Sequence, residues 1–215
     1  MTIIVQSRRR SIEKLHQEFP SATVIDVTSC GEEPWVKFSP FYPHGGIPVP
    51  FSPGYTSQTV EGIWQGLKVF ESEDINFGTM QITNMKNLKR TVRKYGKCWG
   101  HRAGIQGEQL LSYLAARILI YLPTYRWVLE NRLRELVAQL KQLAQTETVV
   151  LLDYETNADV ENLKKPLSHA QLVKLYIEGN YLEAAIGCEL WELLEKGRYV
   201  SLKSHISNFE VIPTK

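Results

Sequence analysis

Thr59-Val60-Glu61-Gly62-Ile63-Trp64-Gln65-Gly66-Leu67-Lys68 is the stretch on which the reading of this chain turns. At about 100° per residue it forms a helix with three distinct faces. Val60, Ile63 and Leu67, continued by Phe70, fall on an apolar face suited to a core. Glu61, Trp64, Gln65 and Lys68 fall on a second face, spaced three and four apart. Trp is rarely left bare in water, so a face carrying an indole beside a carboxylate, an amide and an ammonium is not an ordinary solvated surface. Gly62 and Gly66 fall on the third face. Each costs a helix about 1 kcal/mol relative to Ala, which calls for some gain from close backbone approach. These features together predict that the helix forms one wall of a small-molecule site.

Upstream, residues 31–55 are dense in Pro, Gly and aromatics and predict ordered irregular structure. Loops of that length inside a domain are uncommon and usually functional. Ahead of them, residues 3–5 and 23–27 are β-branched runs flanking a helical repeat at 11–19 that Pro20 stops. Strand, helix, strand predicts a βαβ-like unit over residues 1–30. No glycine-rich phosphate loop joins the first strand to the helix. Arg8-Arg9-Arg10 stands there instead, either as a phosphate contact or as a solvated turn.

Downstream, residues 85–95 read as a short basic helix ended by Gly96, and residues 97–102 as a loop. Residues 108–121 read as a core-crossing helix that Pro123 breaks or kinks. Residues 123–145 read as one amphipathic helix with Trp127, Leu129, Leu133, Leu136, Val137 and Leu140 toward the core. Thr148-Val149-Val150-Leu151-Leu152 reads as a buried strand delivering Asp153, Glu155 and Asp159 at its end. Helices over 168–177 and 181–195 and a last strand at 209–211 complete the chain. The expected fold is α+β: a single, mainly helical domain of 215 residues around a small mixed sheet. Residues 31–165 form its core and 166–215 a helical extension.

Composition narrows the function. Hydrophobic residues at 43% and charged residues at 22% are ordinary for a soluble globular protein. A net charge of +2 is too small to argue by itself for a nucleic acid or a membrane as partner. Three widely spaced cysteines with no CxxC pair suit a reducing compartment and neither a zinc nor a redox motif. The first residues lack the apolar segment of a secretory signal, and no apolar run spans a bilayer. A cytoplasmic location is the expectation.

Two carboxylate clusters could carry chemistry. Glu61 sits in the first turn of its helix, where the dipole favours a charged carboxylate and hence a base, a nucleophile or a cation stabiliser. It also reads as a surface Glu that merely supports the helix. Asp153, Glu155 and Asp159 follow a strand end, where ligands gather in α/β architectures, and read equally as a polar turn. Two carboxylates flanking an anomeric carbon are what glycoside or N-glycoside cleavage needs. Trp64, Tyr42 and Phe41 could stack a base or ribose. Lys68 and the basic stretch 86–94 could hold phosphate. His44, His101 and His169 have no metal-ligand spacing and read as structural or surface histidines. Cys98 lies in an electropositive run, but the sequence names no base to activate it.

Phe38-Ser39-Pro40-Phe41-Tyr42-Pro43 followed by the helix at 59–68 resembles the NADAR superfamily, whose members show an F-S-N-F-type loop and then an S-x-E-x-x-x-Q-x-x-K helix. Glu61, Gln65 and Lys68 fall at that spacing. Looser likenesses are the basic run from Lys89-Arg90 to Lys97 and the strand at 149–152 with its acidic residues. Pro40 replaces the usual Asn, Gly62-Ile63 replaces a common His-Tyr, and no Trp-Gly pair follows Asp159. The resemblance implies an N-glycosidase acting on an ADP-ribose- or phosphoribosyl-containing nucleotide derivative, free or carried on an ADP-ribosylated target. It implies neither metal nor organic cofactor. Glu61 would be the principal catalytic carboxylate, with Asp159 or Glu155 as its partner. Ser39, Tyr42, Trp64, Gln65, Lys68, Arg90, Lys97 and Asp153 would bind substrate. The rival expectation is a non-catalytic nucleotide-binding or interaction module on the same scaffold. The leaving group and the oligomeric state are open at this level.

Overall fold

A computed structural model describes residues 1–181. The helix expected at 181–195, apart from its first residue, and the strand expected at 209–211 lie outside the described residues. In chain order the elements begin with β1 (Thr2–Ser7), α1 (Ile12–Glu18), β2 (Thr23–Asp26), a 3-10 turn (Trp35–Phe38), β3 (Ile47–Pro48) and β4 (Thr56–Ser57). Next come α2 (Val60–Gly66), β5 (Lys68–Phe70), α3 (Phe77–Met80), α4 (Val92–Tyr95), β6 (Cys98–Arg102) and β7 (Leu110–Leu111). Then follow α5 (Tyr113–Ala116), a π-helix (Arg117–Tyr121), α6 (Leu122–Asn131), α7 (Arg134–Thr146), β8 (Thr148–Asp153) and α8 (His169–Ile177). Helices and small sheets of both parallel and antiparallel type make this an α+β architecture. The described residues divide into two compact units, residues 1–42 with 126–181, and residues 43–125.

The first unit is built on a parallel sheet of order β1-β8-β2. The expected strand-helix-strand unit is present, but β1 and β2 are not neighbours. The apolar run of β8 inserts between them, which is why its four central residues are all buried. Side chains alternate across a strand. Val150 and Leu152, with Ile4 and Val24, therefore pack on one face against Leu15 and Phe19 from α1 and its C-cap. Ile3, Ile25, Val149 and Leu151 fall on the other face, and α7 and α8 pack against this sheet. Ser11 caps α1 by accepting from the Lys14 N–H.

The second unit centres on α2 and the antiparallel sheet β5-β6-β7. Thr59 caps α2 by accepting from the Gly62 N–H at 2.7 Å. Val60, Ile63 and Leu67 are buried as the periodicity requires. The helix is shorter than expected. It ends at Gly66, and Lys68 and Phe70 belong to β5. The two glycines serve protein packing. A Cβ on Gly62 would lie 2.7 Å from Thr59 Oγ1, 3.0 Å from Ser57 Oγ and 3.1 Å from Met80 Cα, and one on Gly66 would lie 2.8 Å from the Met80 side chain. The close approach anticipated for a ligand is thus made by α3, whose following loop and leading residue also bond the helix: Asn76 N–H donates to the Gly66 carbonyl at 2.8 Å.

Five other expectations change. The basic helix shrinks to α4, because Met85 and Asn87 have φ of 57° and 60° and Arg90 is drawn inward by its hydrogen bonds. The loop at 97–102 is the central strand β6, a pairing between distant segments that local sequence does not announce. Residues 110–111 form β7, and the helix begins only after Ser112, which caps α5. Pro123 neither ends nor breaks the helical run. Pro lacks an N–H, and the preceding turn widens to π geometry, with Leu122 N–H donating to Arg117 O. The helix expected at 123–145 is instead two, α6 and α7, separated at Arg132-Leu133. The Asn131 side chain there donates to the Trp127 carbonyl at 2.8 Å and competes for the helix ladder.

Both glycines should resist substitution. Gly62→Ala should lose about 2 kcal/mol in urea unfolding, because the Met80 backbone cannot yield. Gly66→Ala should lose stability too, because its Cβ would lie 3.0 Å from the Asn76 carbonyl oxygen and 2.8 Å from the buried Met80 side chain. Either variant as stable as wild type would contradict this account of the α2–α3 contact.

Candidate active site

The polar face of α2 is a chain of hydrogen bonds inside the second unit. Glu61 is buried at 8% exposure and Gln65 at 5%. Gln65 Nε2 donates to Glu61 Oε1 at 2.8 Å. Gln65 Oε1 accepts from Lys68 Nζ at 3.1 Å and from the Arg90 backbone N–H at 3.1 Å. The expected alignment of Glu61, Gln65 and Lys68 is therefore present, although Lys68 stands one residue past the helical cap. Burial lowers the Lys68 ammonium from its ordinary value, and the nearby Glu61 charge only partly opposes this.

Arg90 is a clamp. Its guanidinium donates to the carbonyls of Gln65 (3.1 Å), Lys68 (2.7 Å) and Asp74 (2.6 Å) and pairs with Glu73 at 3.1 Å. These bonds fix the end of α2 to the start of β5 and engage both terminal guanidinium nitrogens, leaving the buried Nε without a partner among the described residues. Lys97 is exposed, and its backbone N–H donates to Glu71 at 3.3 Å.

Trp64 is buried among rings. Its centroid lies 4.0 Å from His101, 5.4 Å from Tyr113 and 5.6 Å from Tyr121, with Lys68 Nζ 5.8 Å above the indole. Arg117, 2% exposed on the π-helix, lies 4.8 Å over the Tyr113 ring. His101 is the Cα partner of Lys68 in the β5–β6 ladder, which puts both side chains on one side of the sheet. Burial first, and the Lys68 charge second, hold its imidazole well below the ordinary value, so it is neutral. His101, Tyr113, Arg117 and Tyr121 were not legible as site residues. Only strand pairing brings His101 to Lys68, and only the continuous run through the π-turn brings Tyr113, Arg117 and Tyr121 to Trp64.

The remaining sequence candidates lie in the first unit and make structural bonds there. Asp153 ends β8 and is 4% exposed. Its Oδ2 accepts from His169 Nδ1 at 3.0 Å, from Ser168 Oγ at 2.7 Å and from the Ala170 N–H at 3.3 Å, and its Oδ1 from the Tyr154 N–H at 2.7 Å. His169 Nε2 bonds the Val27 carbonyl at 2.8 Å. This set ties the capped start of α8 to the ends of β8 and β2. Glu155 pairs loosely with Arg9 at 3.8 Å. Asp159 is exposed and accepts from the Glu161 N–H at 2.9 Å, as a polar turn does. Ser39 is buried and accepts from the Phe41 N–H at 3.3 Å, and Tyr42 donates to Glu33 at 3.3 Å. The arginine triplet forms a bonded turn: Arg8 meets Asp26 at 2.6 Å, Arg9 donates to the Tyr154 carbonyl at 2.9 Å, and Arg10 pairs with Glu18.

Among the described residues no group of three or more His, Cys, Asp or Glu is arranged to hold a metal ion, and no helix is long and apolar enough to cross a membrane. Residues 7–173 match a family of unknown function, DUF6939. The chain belongs to that family. No curated protein and no solved structure matches it. The DUF6939 match takes in both the Glu61 cluster and the Asp153–His169 pair.

The Asp153–His169 pair fixes a pH window. Burial alone would raise Asp153, but the His169 charge and the hydrogen bonds outweigh it and hold the carboxyl at about 2. Burial would likewise lower His169, and Asp153 reverses this, so His169 ends raised from 6.5. The stabilisation from Asp153 is present above its ordinary 3.8 and is lost as pH falls toward about 2. That from His169 is complete below 6.5 and is lost as pH rises through the raised folded value. Urea unfolding should therefore show wild type losing stability on the alkaline side. Asp153→Asn should cost about 3 kcal/mol near neutrality, because it leaves a buried His without its partner, and should flatten that dependence.

Proposed function

We propose that this DUF6939 protein is an N-glycosidase that hydrolyses the bond between a ribosyl carbon and a base nitrogen in a nucleotide derivative, with Glu61 at the reacting centre. The observation that carries the reading is the Glu61–Gln65–Lys68 chain: a buried carboxylate joined through one amide to a lysine of lowered pKa, beside the face of Trp64. The likeness of residues 38–68 to the NADAR pattern, which rests on the same three residues and the loop at 38–43, supports it. Glu61 would oppose the positive charge that develops on the anomeric carbon and take a proton from the attacking water. Lys68 would give its proton to the departing nitrogen. The C–N bond breaks, a C–O bond forms, and the lysine regains a proton from the carboxylic acid or solvent. Trp64 and Tyr113 would stack the base. The reading draws its second proton carrier from Lys68, since Asp153, Glu155 and Asp159 are engaged within the other unit.

That same engagement favours a second reading, a nucleotide-binding module without turnover. One experiment separates the two. N-ribosylated purine, pyrimidine and nicotinamide nucleotides are incubated with the protein, and released base and sugar are followed by chromatography. Wild type should release both from at least one. Glu61→Gln should bind that compound with similar affinity, keep its melting temperature within a few degrees, and lose at least about 100-fold in rate. Lys68→Met should slow the reaction and remove an alkaline limb lying below the ordinary lysine range. Saturable binding with no release over long incubation would establish the binding module instead.

A further inference from the structure

His101 has no part in the hydrogen-bond chain just described, yet it is the most enclosed polar side chain beside it. The residue is 0% exposed. The Trp64 backbone lies near enough to favour the charged ring, less strongly than burial and Lys68 oppose it, but neither ring nitrogen makes a hydrogen bond of full geometry. Both Nδ1 and Nε2 are without a partner among the described residues. A buried donor and a buried acceptor left unmade on one ring are costly, and such groups call for a specific explanation. Lys68, directly across the ladder, is in a related position. Its ammonium carries three N–H bonds, and Gln65 Oε1 takes one.

We propose that His101 is a specificity-determining residue of the Glu61 site, its uncharged imidazole acting with Lys68 to take a hydroxyl of a sugar-containing ligand. The inference rests on the ribosyl ligand of the proposed glycosidase reading and deepens it. The chemistry selects the group. A neutral imidazole presents one N–H and one lone pair, whereas an ammonium presents N–H alone. A fully ionised phosphate ester or a carbonyl oxygen only accepts, so it serves Lys68 and leaves the imidazole lone pair unmet. A hydroxyl accepts from Lys68 and donates to His101. A protonated imidazole would lose this discrimination, and burial beside Lys68 keeps the ring neutral. The way in passes Tyr113, the exposed ring of the cluster at 39%, whose centroid lies 6.2 Å from His101 and 5.4 Å from Trp64. That side chain must move aside for a ligand to reach the imidazole.

The test uses full-length protein labelled with 15N-histidine, and the His101 signals are assigned by their absence in His101→Phe. Long-range proton–nitrogen spectra are recorded with D-ribose 5-phosphate, D-ribose and inorganic sulfate, an anion that accepts hydrogen bonds and donates none, and affinities are measured by calorimetry. The expected result is a shift of the His101 nitrogens with both sugars and none with sulfate. His101→Phe should weaken ribose 5-phosphate binding at least tenfold, while His101→Gln, which keeps a donor and an acceptor, should stay within about threefold of wild type. A purely packing role predicts the reverse order, because Phe best replaces the ring against Trp64. Phe binding as tightly as wild type would overturn the assignment, as would His101 signals unmoved at saturating sugar (a buried water as the only partner) or moved equally by sulfate. If wild type binds ribose 5-phosphate and cleaves N-ribosyl compounds but His101 is silent, this inference fails alone. If wild type neither binds the sugar phosphate nor cleaves, both readings fall together.

Discussion

The side-chain amide of Gln65 can face only one way. Its oxygen receives two donors, the Lys68 ammonium and the Arg90 backbone N–H, so its nitrogen must point to Glu61. Reversal of the amide would set NH2 against two N–H donors and a carbonyl against a carboxylate. That single constraint sets the position of the Glu61 carboxylate and the reach of Lys68. It also explains why Arg90 is buried. The arginine supplies the N–H that orients Gln65, and its guanidinium gathers the carbonyls that α2 and β5 leave open where one ends and the other begins. The residue that sequence reading assigned to phosphate instead holds the geometry of the Glu61–Gln65–Lys68 chain.

Two buried charged clusters among the described residues differ in completeness, and the difference is what makes one of them the candidate site. Around Asp153 every partner is in place. Two backbone N–H groups, a hydroxyl and an imidazolium converge on the carboxylate, and the imidazolium spends its other N–H on a carbonyl. A site so fully satisfied has no donor to offer a ligand, and its lowered carboxyl pKa records stability. Around Glu61 the account does not close. A lysine of depressed pKa keeps N–H bonds to give, and a neutral histidine beside it has both nitrogens unmade. Perturbed groups occur in structural ion pairs and in active sites alike. Unfilled hydrogen-bonding capacity in a buried aromatic setting distinguishes the second case.

What the sequence made legible is what depends on neighbours along the chain. The helix spacing of Glu61, Gln65 and Lys68, the cap at Thr59, the apolar run of β8 and the α1 repeat all follow from local periodicity. What stayed hidden depends on partners far away. β6 reads as a loop because Cys98, Gly100 and Arg102 have no strand signature of their own, and only pairing with β5 and β7 makes them extended. The consequence for function is direct, since the loop reading removed His101 from the site. Pro123 misled in the opposite sense. A proline ends a helix when the turn before it stays α-helical, but one π-turn lets the run continue and carries Arg117 and Tyr121 to Trp64.

Gly62 shows how a departure from a familiar motif can be answered within the fold. A bulky residue beside the presumed catalytic carboxylate would ordinarily shape the ligand's space. Here the absent side chain lets the Met80 backbone come within 3.1 Å of where a Cβ would stand, and the Met80 carbonyl accepts from the Gln58 N–H at 2.8 Å. That contact presses α3 onto the segment leading into α2. The glycine thus acts on Glu61 through the support of its helix. Variation at this position would move the carboxylate as a unit with α2, because the Thr59 cap and the Gln65 amide bind it at both ends. Under the proposed function, substrate choice would then be left to the groups that face Trp64 from other elements: Lys68, His101 and Tyr113.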